Sequence, residues 1–360
     1  MATEENYKAN NTASTSCKSC GAPMVYKAGT NLLVCTYCNS TQEITQEDFV
    51  LNEIDFESFI KTYEKEEFNT TKVITCDNCK ATPTVDENLR SMMCPYCGSP
   101  LVEENIHEER YIKPGYVLPF KVDHSKINDI LKNWVNGFWF APDNIKKAIL
   151  ESDNINGIYL PFWTFDTLTH TNYKGERGDA YYVTVGSGDK RRRERRIDWS
   201  FAQGNIENFY DDVLVSGNKT LRRDILSNIQ HGWNTKAIVK IDDKYLEGFI
   251  TEKYQVDLKD SFEQAKTIFI NYEGESVKRH IGGDEQRITD MYTDFDRITF
   301  KHILVPIYVS SFLYNNKNYT FYINGMTGSI SGDRPYSTTK IVFAVLAAFI
   351  IVVLILMIMR

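Results

Sequence analysis

The chain has 360 residues, of which 42% are hydrophobic, 25% charged and 13% aromatic. This composition excludes a disordered or low-complexity chain, and the length predicts two or three modules. With 41 basic against 48 acidic side chains, the net charge of −7 argues against a protein that coats nucleic acid with its whole surface.

The acidity lies at the N-terminal end, because residues 1–110 hold 9 Lys and Arg against 18 Asp and Glu. Residues 1–15 are polar, and we predict that they are disordered. They lack the apolar core of a cleavable signal peptide. We therefore expect the chain to fold in a reducing compartment, where cysteines stay as thiols.

All eight cysteines fall into four Cys-x-x-Cys pairs before residue 98. In each half, 14 residues separate the two pairs, and the second set repeats the first at a shift of 59 residues. Two such turns joined by a hairpin supply the tetrahedral four-sulfur shell that zinc prefers. The predicted metal ligands are Cys17, Cys20, Cys35, Cys38, Cys76, Cys79, Cys94 and Cys97.

We predict two rubredoxin-like zinc ribbons, over residues 16–45 and 71–105, with one structural zinc ion each. Iron is the alternative metal, since four cysteines in a tetrahedron also bind iron. Disulfides are disfavoured because they need an oxidising compartment. A thioredoxin-like site is disfavoured because it uses one Cys-x-x-Cys pair, not four pairs in two matched sets. A closed four-cysteine shell leaves no coordination position for catalysis. With a zinc ion and four thiolates in each site, neither ribbon carries surplus positive charge, which favours protein docking or a structural role.

Two segments with helical patterns follow the first ribbon. Residues 46–70 predict an acidic linker helix, whose apolar face we expect to pack against the ribbons, with a partner site as the alternative. Residues 106–156 form a linker and helical segment, with one helix from Ser125 to Phe138, capped by Asp123 or Ser125, and a second over 143–152. The aromatic residues of this segment are more typical of a core than of a ligand pocket: Trp134, Phe138, Trp139 and Phe140.

From residue 157 to 335 the sequence is rich in β-branched and aromatic residues, which predicts an α+β domain with mainly antiparallel strands and short helices. One short helix is expected at Leu258–Lys266. Turns are expected at Asn315-Asn316, Asn324-Gly325 and Thr327-Gly328. The predicted strands are Ile158–Phe165, Ala180–Val185, Ala237–Ile241, Thr267–Tyr272, Ile303–Leu313 and Tyr319–Ile323.

A basic run, Lys190 to Arg196, surrounds the single acidic residue Glu194. Three interpretations stay open: contact with anionic lipid headgroups, contact with nucleic acid phosphates, or a solvated hairpin tip.

The C-terminal segment Ile341 to Met359 contains nineteen consecutive apolar residues. As a helix it would measure about 28 Å, close to the thickness of a bilayer core. We expect a single-pass tail anchor in the cell membrane. Arg334 and Lys340 before the segment, together with the thiol-rich ribbons, predict that the N-terminal domains are cytoplasmic.

No catalytic motif is visible, since the sequence has no P-loop, no H-E-x-x-H and no G-x-S-x-G. The acidic pairs Asp211-Asp212 and Asp284-Glu285 are more typical of turns or surface than of acid–base chemistry. We predict that the protein is not an enzyme.

The ribbon ending in CPYCGSP, the stretch YLEGFITEKYQVDL and the stretch YINGMTGSISGDRP resemble bacterial TFIIB-type zinc-ribbon membrane proteins. Members are often labelled primosomal replication protein N-prime or superfamily II helicase, which conflicts with the missing P-loop. The resemblance covers nearly the whole chain from about residue 17. It implies that the protein acts together with phage-shock protein A-like and stomatin-like (SPFH) scaffold proteins in envelope stress. It also implies that the eight cysteines are metal ligands.

Together these features predict a tail-anchored, cytoplasm-facing zinc-ribbon adaptor that docks protein partners at the membrane, in envelope stress or membrane organisation. The alternative is a membrane-tethered zinc-ribbon protein that binds nucleic acid.

Overall fold

A computed structural model describes residues 15–46, 49–63, 69–85, 91–142, 145, 149, 155–188, 191–315 and 317–358. The strands are β1 (Met24–Lys27), β2 (Leu32–Cys35), β3 (Thr41–Glu43), β4 (Ile54–Asp55), β5 (Thr70–Ile74), β6 (Ser91–Met93), β7 (Pro100–Val102), β8 (Ile106–Arg110), β9 (Tyr116–Val117), β10 (Asn156–Val185), β11 (Arg192–Ser216), β12 (Val239–Lys240), β13 (Ile250–Thr251), β14 (Glu285–Tyr314), β15 (Lys317–Asn324) and β16 (Ile330–Gly332). The helices are α1 (Phe56–Tyr63), α2 (Ile127–Asn136), α3 (Arg223–Ile229), α4 (Leu258–Ile281) and α5 (Thr338–Ile358).

A sheet with the antiparallel strands β11-β10-β14-β15-β16, in this order, forms the centre of the fold and confirms the predicted α+β class. The short strands β9 and β13 pair with β14 and β10 in parallel. The predicted strands Ile158–Phe165 and Ala180–Val185 are parts of one 30-residue strand, β10. The predicted strand Ile303–Leu313 is likewise the last third of the 30-residue strand β14. Of the predicted strand Ala237–Ile241 only Val239–Lys240 is extended.

The first third of β10 is buried on both faces of this sheet. Tyr159 joins a core that contains the first ribbon and α2, whereas its neighbours Ile158 and Leu160 join a core that contains the second ribbon and α3. Side chains alternate between the two faces of a strand. The two ribbons therefore cover opposite faces of the same sheet. Because this part of β10 is buried on both faces, its sequence is an uninterrupted apolar stretch rather than an alternating one.

Beyond Asp166 the sheet continues as three strands, and we call this part the arm: residues 168–185, 192–210 and 285–296. The arm begins where the strands are irregular. Next to Asp166, β10 shifts register with both of its neighbours, and on those neighbours Asp212 and Arg297 have positive φ angles of 54° and 50°. Helix α4 covers one face of the arm, where Val277 and Ile281 pack with Tyr173.

The predictions of a short helix at Leu258–Lys266 and a strand at Thr267–Tyr272 were wrong, because α4 runs through both segments for 24 residues. The buried positions include Ala265, Phe269, Glu273 and Val277, at the four-residue spacing of a helix that packs along a sheet. Packing against the arm overrides the local preference of Thr267–Tyr272 for a strand.

Helix α1 lies inside the predicted acidic linker, but it does not pack where we expected. Its Phe56 and Phe59 rings lie 4.6 Å from Phe262 and 5.0 Å from Phe300, measured between centroids, so α1 covers the central sheet and α4. Packing of its aromatic face against the ribbons was therefore a wrong prediction, because Phe56 and Phe59 join the core formed by Phe165, Phe262 and Phe300.

Helix α2 follows the predicted pattern, preceded by a turn of 3₁₀ helix that the Asp123 carboxylate caps by accepting from the Ser125 N–H at 2.9 Å. Of the helix predicted over 143–152, only Ile145 and Ile149 are among the described residues, and both are buried beside α2. The aromatic group after α2 divides: Phe138 is buried in the core, whereas Trp139 is exposed.

Candidate metal centres and membrane anchor

All four Cys-x-x-Cys turns have the same backbone geometry. In each, the residue after the second cysteine donates its N–H to the carbonyl oxygen of the first cysteine, at 2.8 to 3.0 Å, and has a positive φ. Glycine takes this conformation without strain, and it is found at two of the four positions. The four residues are Gly21, Asn39, Lys80 and Gly98.

The turns bring the cysteines together in two groups whose sulfur atoms all lie within 4.8 Å of one another. Across the first group, the sulfurs of Cys17 and Cys38 are 3.5 Å apart, and in the second those of Cys76 and Cys97 are 3.6 Å apart. A tetrahedral zinc ion with Zn–S bonds of about 2.3 Å needs sulfurs about 3.8 Å apart. A disulfide would need about 2.05 Å. Both groups therefore fit zinc, as the spacing predicts.

Hydrogen bonds prepare some of the thiols to ionise, as metal binding requires. The backbone N–H groups of Ser19 and Cys20 lower the pKa of Cys17 to about 6. Burial opposes ionisation of Cys97, but hydrogen bonds from Ser99 outweigh it and lower the pKa of Cys97 to about 6. Burial and hydrogen bonds with neighbouring thiols instead raise the pKa of Cys20, Cys76 and Cys94, so a zinc ion would have to displace protons from part of each group.

The first ribbon, strands β1 to β3, is attached to the body through Tyr26. The Tyr26 N–H donates to the Glu247 carbonyl oxygen at 3.0 Å, and its ring contacts that of Tyr245 edge-on at 5.1 Å. Nearby, the Gly29 N–H donates to the Phe120 carbonyl oxygen at 2.8 Å. A Cβ at Gly29 would lie 2.8 Å from the Lys121 carbonyl oxygen, so this close approach requires glycine.

The second ribbon, strands β5 to β8, is attached to the body through the loop that contains Thr84 and through both metal-binding turns. The Thr84 N–H donates to the Thr251 carbonyl oxygen at 2.9 Å, and the Gln255 side-chain amide donates to the Lys80 carbonyl oxygen at 2.6 Å. Its strand β8 runs to Arg110, five residues beyond the predicted end of the ribbon at 105.

One tyrosine in each ribbon shows that the two are attached in different orientations. Tyr37 in the first ribbon and Tyr96 in the second occupy the same position of the 59-residue repeat. Tyr37 is 82% exposed, whereas Tyr96 is 2% exposed and packs against Tyr322. Consistently, Cys20 and Cys38 are exposed while Cys79 and Cys97 are half-buried.

The predicted membrane segment forms α5, a helix of 21 residues with a mean hydropathy of 3.5 over its most apolar stretch, none of it buried. Met359 lies outside the described residues. The helix is long and apolar enough to cross a membrane.

The basic run lies at the end of the arm, where β10 turns back into β11. Lys190 is outside the described residues, and Arg192 to Arg196 begin β11. Its charges are partly paired, since Arg195 contacts Glu285 at 2.6 Å and Arg196 contacts Glu194 at 3.4 Å.

A buried lysine joins the arm to the body, and sequence analysis missed it. The Lys301 ammonium lies 2.8 Å from Asp212 and 3.2 Å from both Asp166 and Glu53. Burial opposes its charge, but the carboxylates outweigh burial and raise the pKa of Lys301. Glu53, Asp166 and Asp211 lie close enough to hold a cation, but Lys301 already contacts two of them. We expected the pair Asp211-Asp212 at a turn or on the surface. Asp211 is exposed, but Asp212 is mostly buried, so this expectation is wrong for Asp212.

These features define a zinc-ribbon protein with an α+β body and one apolar C-terminal helix. Among known families, the model described as PriA DNA helicase Cys-rich region (CRR) domain matches residues 17–42, which is the first ribbon. A Bacillus subtilis (strain 168) protein described as uncharacterized protein YdjG is 21% identical over 232 residues, which is 64% of this chain and 66% of that protein, just under two thirds of its length. No solved structure matches the chain.

Proposed function

We propose that the protein is a cytoplasm-facing adaptor, anchored in the cell membrane by Ile341–Met359, that docks protein partners on its arm. The observation that carries the proposal is the position of the anchor relative to the arm. Strand β16 pairs with β15 at the body end of the sheet and runs away from the end of the arm. Helix α5 begins six residues after β16 ends, and the residue before it, Ser337, is hydrogen-bonded to Phe140 of the body. From Glu285 to Tyr314, β14 measures roughly 95 Å along the strand. The body therefore separates the end of the arm from the start of α5, and this favours an arm that a soluble partner can reach.

The face of the arm opposite α4 supports protein docking. Exposed aromatic side chains on this face include one on β14 and two on β11: Tyr292, Phe201 and Phe209. Acidic side chains, among them Asp294 and Glu207, lie between them. Exposed aromatics within a polar surround are typical of protein interfaces, whereas a phosphate backbone would be repelled by these carboxylates.

The resemblance to TFIIB-type zinc-ribbon membrane proteins supports phage-shock protein A-like or SPFH-type scaffolds as the partners, and envelope stress as the setting. The thiolate ligands favour the cytoplasmic side, because zinc-bound cysteines are at risk of oxidation outside it. That the protein is not an enzyme stays a prediction, to be checked by a broad hydrolase screen.

Crosslinking in intact cells, followed by purification from membranes and mass spectrometry, tests this proposal. The triple variant Phe201→Ser, Phe209→Ser, Tyr292→Ser removes the aromatic arm face, and Tyr37→Ser is the matched control at an exposed aromatic of the first ribbon. We expect a phage-shock protein A-like or SPFH-type protein to crosslink to the wild type and to Tyr37→Ser, but not to the triple variant. Equal recovery with all three proteins would contradict docking on the arm.

A second candidate function is nucleic-acid binding at the membrane. Two observations favour it: the match of the first ribbon to the helicase Cys-rich region and the arginines at the end of the arm. It predicts binding of single-stranded or duplex oligonucleotides that weakens steeply with salt and disappears when the arginines of Lys190–Arg196 are neutralised. Fluorescence anisotropy over a salt series measures this directly.

A further inference from the structure

The loop that follows α2 is fastened to the first turn of α5. The Ser337 N–H donates to the Phe140 carbonyl oxygen at 2.7 Å, and the Lys340 ammonium donates to the Ala141 carbonyl oxygen at 2.9 Å. Arg334 lies over the Phe138 ring at 4.9 Å from its centroid. Because Phe138 is buried in the core, these contacts hold the start of α5 to the body.

At this junction the protein leaves large aromatic side chains in solvent. Trp139 is 83% exposed, Tyr336 57% and Phe140 39%, close to the start of α5, in which no described residue is buried. Next to them stand two cations, Arg334 and Lys340, and the Arg334 Nε donates to the Tyr336 hydroxyl at 3.3 Å. A tryptophan, a tyrosine and basic residues at the end of an apolar helix match the chemistry of the headgroup region of a bilayer.

We propose that Trp139, Phe140 and Tyr336 form a collar that lies in the lipid headgroup region around the start of α5. The collar occupies the bilayer interface because its surface continues that of α5, and Arg334 and Lys340 are placed to meet lipid phosphates. This inference rests on the proposed membrane anchor. It adds that the body itself touches the membrane at a defined surface, which is not expected of a domain on a flexible tether.

The collar also fixes the direction of the arm. Trp139 lies at the membrane end of the body, whereas Trp199 lies on β11 near the end of the arm, where Arg287 stacks over its ring at 3.7 Å. With the collar in the headgroups, Trp199 and the basic run stay away from the membrane that holds α5. Contact of the basic run with these same lipids is then not expected.

Fluorescence quenching by brominated lipids tests the collar with the full-length protein. The protein is reconstituted into vesicles of phosphatidylcholine and phosphatidylglycerol, with and without phosphatidylcholine brominated near the headgroup end of its chains. Helix α5 contains no tryptophan, so quenching reports on the body. We expect the brominated lipid to quench the emission of the wild type, and the quenched intensity to fall by more than half in Trp139→Phe. In Trp199→Phe, the matched control on the arm, the quenched intensity should equal that of the wild type.

Flotation of the same vesicles separates the possible failures. If the protein floats with vesicles but Trp139→Phe is quenched as strongly as the wild type, the collar is wrong and the anchor stands. Loss of quenching in Trp199→Phe instead would overturn the direction of the arm. Protein that stays at the bottom of the gradient would overturn the anchor and the collar together. Zinc content equal to that of the wild type confirms that both variants are folded.

Discussion

The two ribbons share one spacing of cysteines and one turn geometry, yet they present opposite sides to the body. In the second ribbon the turn that carries Tyr96 faces inward, and this side chain becomes part of the core beneath the sheet. The corresponding turn of the first ribbon, with Tyr37, faces solvent. The same metal site thus acts as a buried element of the core in one case and as an exposed corner in the other. The metal-binding edge of the first ribbon is therefore the more accessible of the two to a partner or a chelator.

The largest expected difference between the ribbons comes from removing this one side chain. Tyr96→Ala should lower the free energy of unfolding by about 4 kcal/mol, because it empties a site beside the central sheet. Tyr37→Ala should change it by less than about 0.5 kcal/mol, since the ring is exposed. Urea unfolding of both variants, followed by circular dichroism, measures the two values. Similar losses for both would show that the ribbons are attached alike.

The next largest difference between the two metal sites should be the rate at which each releases zinc to a chelator. Cys20 and Cys38 are exposed, whereas Cys79 and Cys97 are half-buried, so a chelator reaches the first site without moving the body. We expect two zinc ions per chain, one released at least about tenfold faster than the other, a difference of about 1.4 kcal/mol in the barrier. Elemental analysis gives the metal and its amount, and a colorimetric zinc indicator gives the rates. The fast phase should be absent from Cys38→Ser; its persistence there would assign it to the second ribbon.

The attachment of the second ribbon should also depend on pH. Burial raises the pKa of Glu252, which lies beside Tyr96, to about 7. The folded state then holds a proton that the unfolded chain, with an ordinary carboxyl pKa near 4.5, releases. Stability from this group is full below pH 4.5 and falls as pH rises to about 7. Between pH 6 and 8 the wild type should lose about 1 kcal/mol relative to Glu252→Gln.

Urea unfolding of the two proteins at several pH values checks this prediction. The range from pH 6 to 8 avoids the acid in which thiolates give up zinc. A constant difference between the two proteins over this range would show that Glu252 is ionised throughout.

The smallest effect concerns one turn residue. Lys80 takes a positive φ of 62° where the equivalent turns have Gly21, Asn39 and Gly98. Lys80→Gly should raise the free energy of unfolding by up to about 1 kcal/mol, because glycine relieves the strain of this conformation. Gly98→Ala, with open space around the added methyl group, should lower it by a similar amount. Thermal unfolding measures both, and equal signs would contradict the strain argument.

Sequence analysis predicted what depends on short-range spacing. The eight ligands, α2 with its Asp123 cap and the apolar α5 each follow from residues within about twenty positions of one another. The orientation of the ribbons could not be predicted, because Tyr37 and Tyr96 have nearly the same neighbours in sequence and differ only in what they meet in the fold.

The arm was missed for a related reason. Its strands are covered on one face only, so residues such as Asn172, Lys174 and Glu207 interrupt the apolar pattern that marked the buried part of β10. Lys301 gave no signal either, since a buried lysine is recognisable only through the carboxylates that three other segments bring to it. Both features depend on long-range pairing.

Membrane fractionation of the chain with and without residues 341–360 tests the central claim, that a self-contained zinc-ribbon body is held to the membrane by α5. The full chain should stay with the membranes through high salt and alkaline carbonate washes. The truncated chain should appear in the soluble fraction and carry two zinc ions. A truncated chain that still sediments with membranes after the salt wash would contradict the account, since something other than α5 would then hold the protein there.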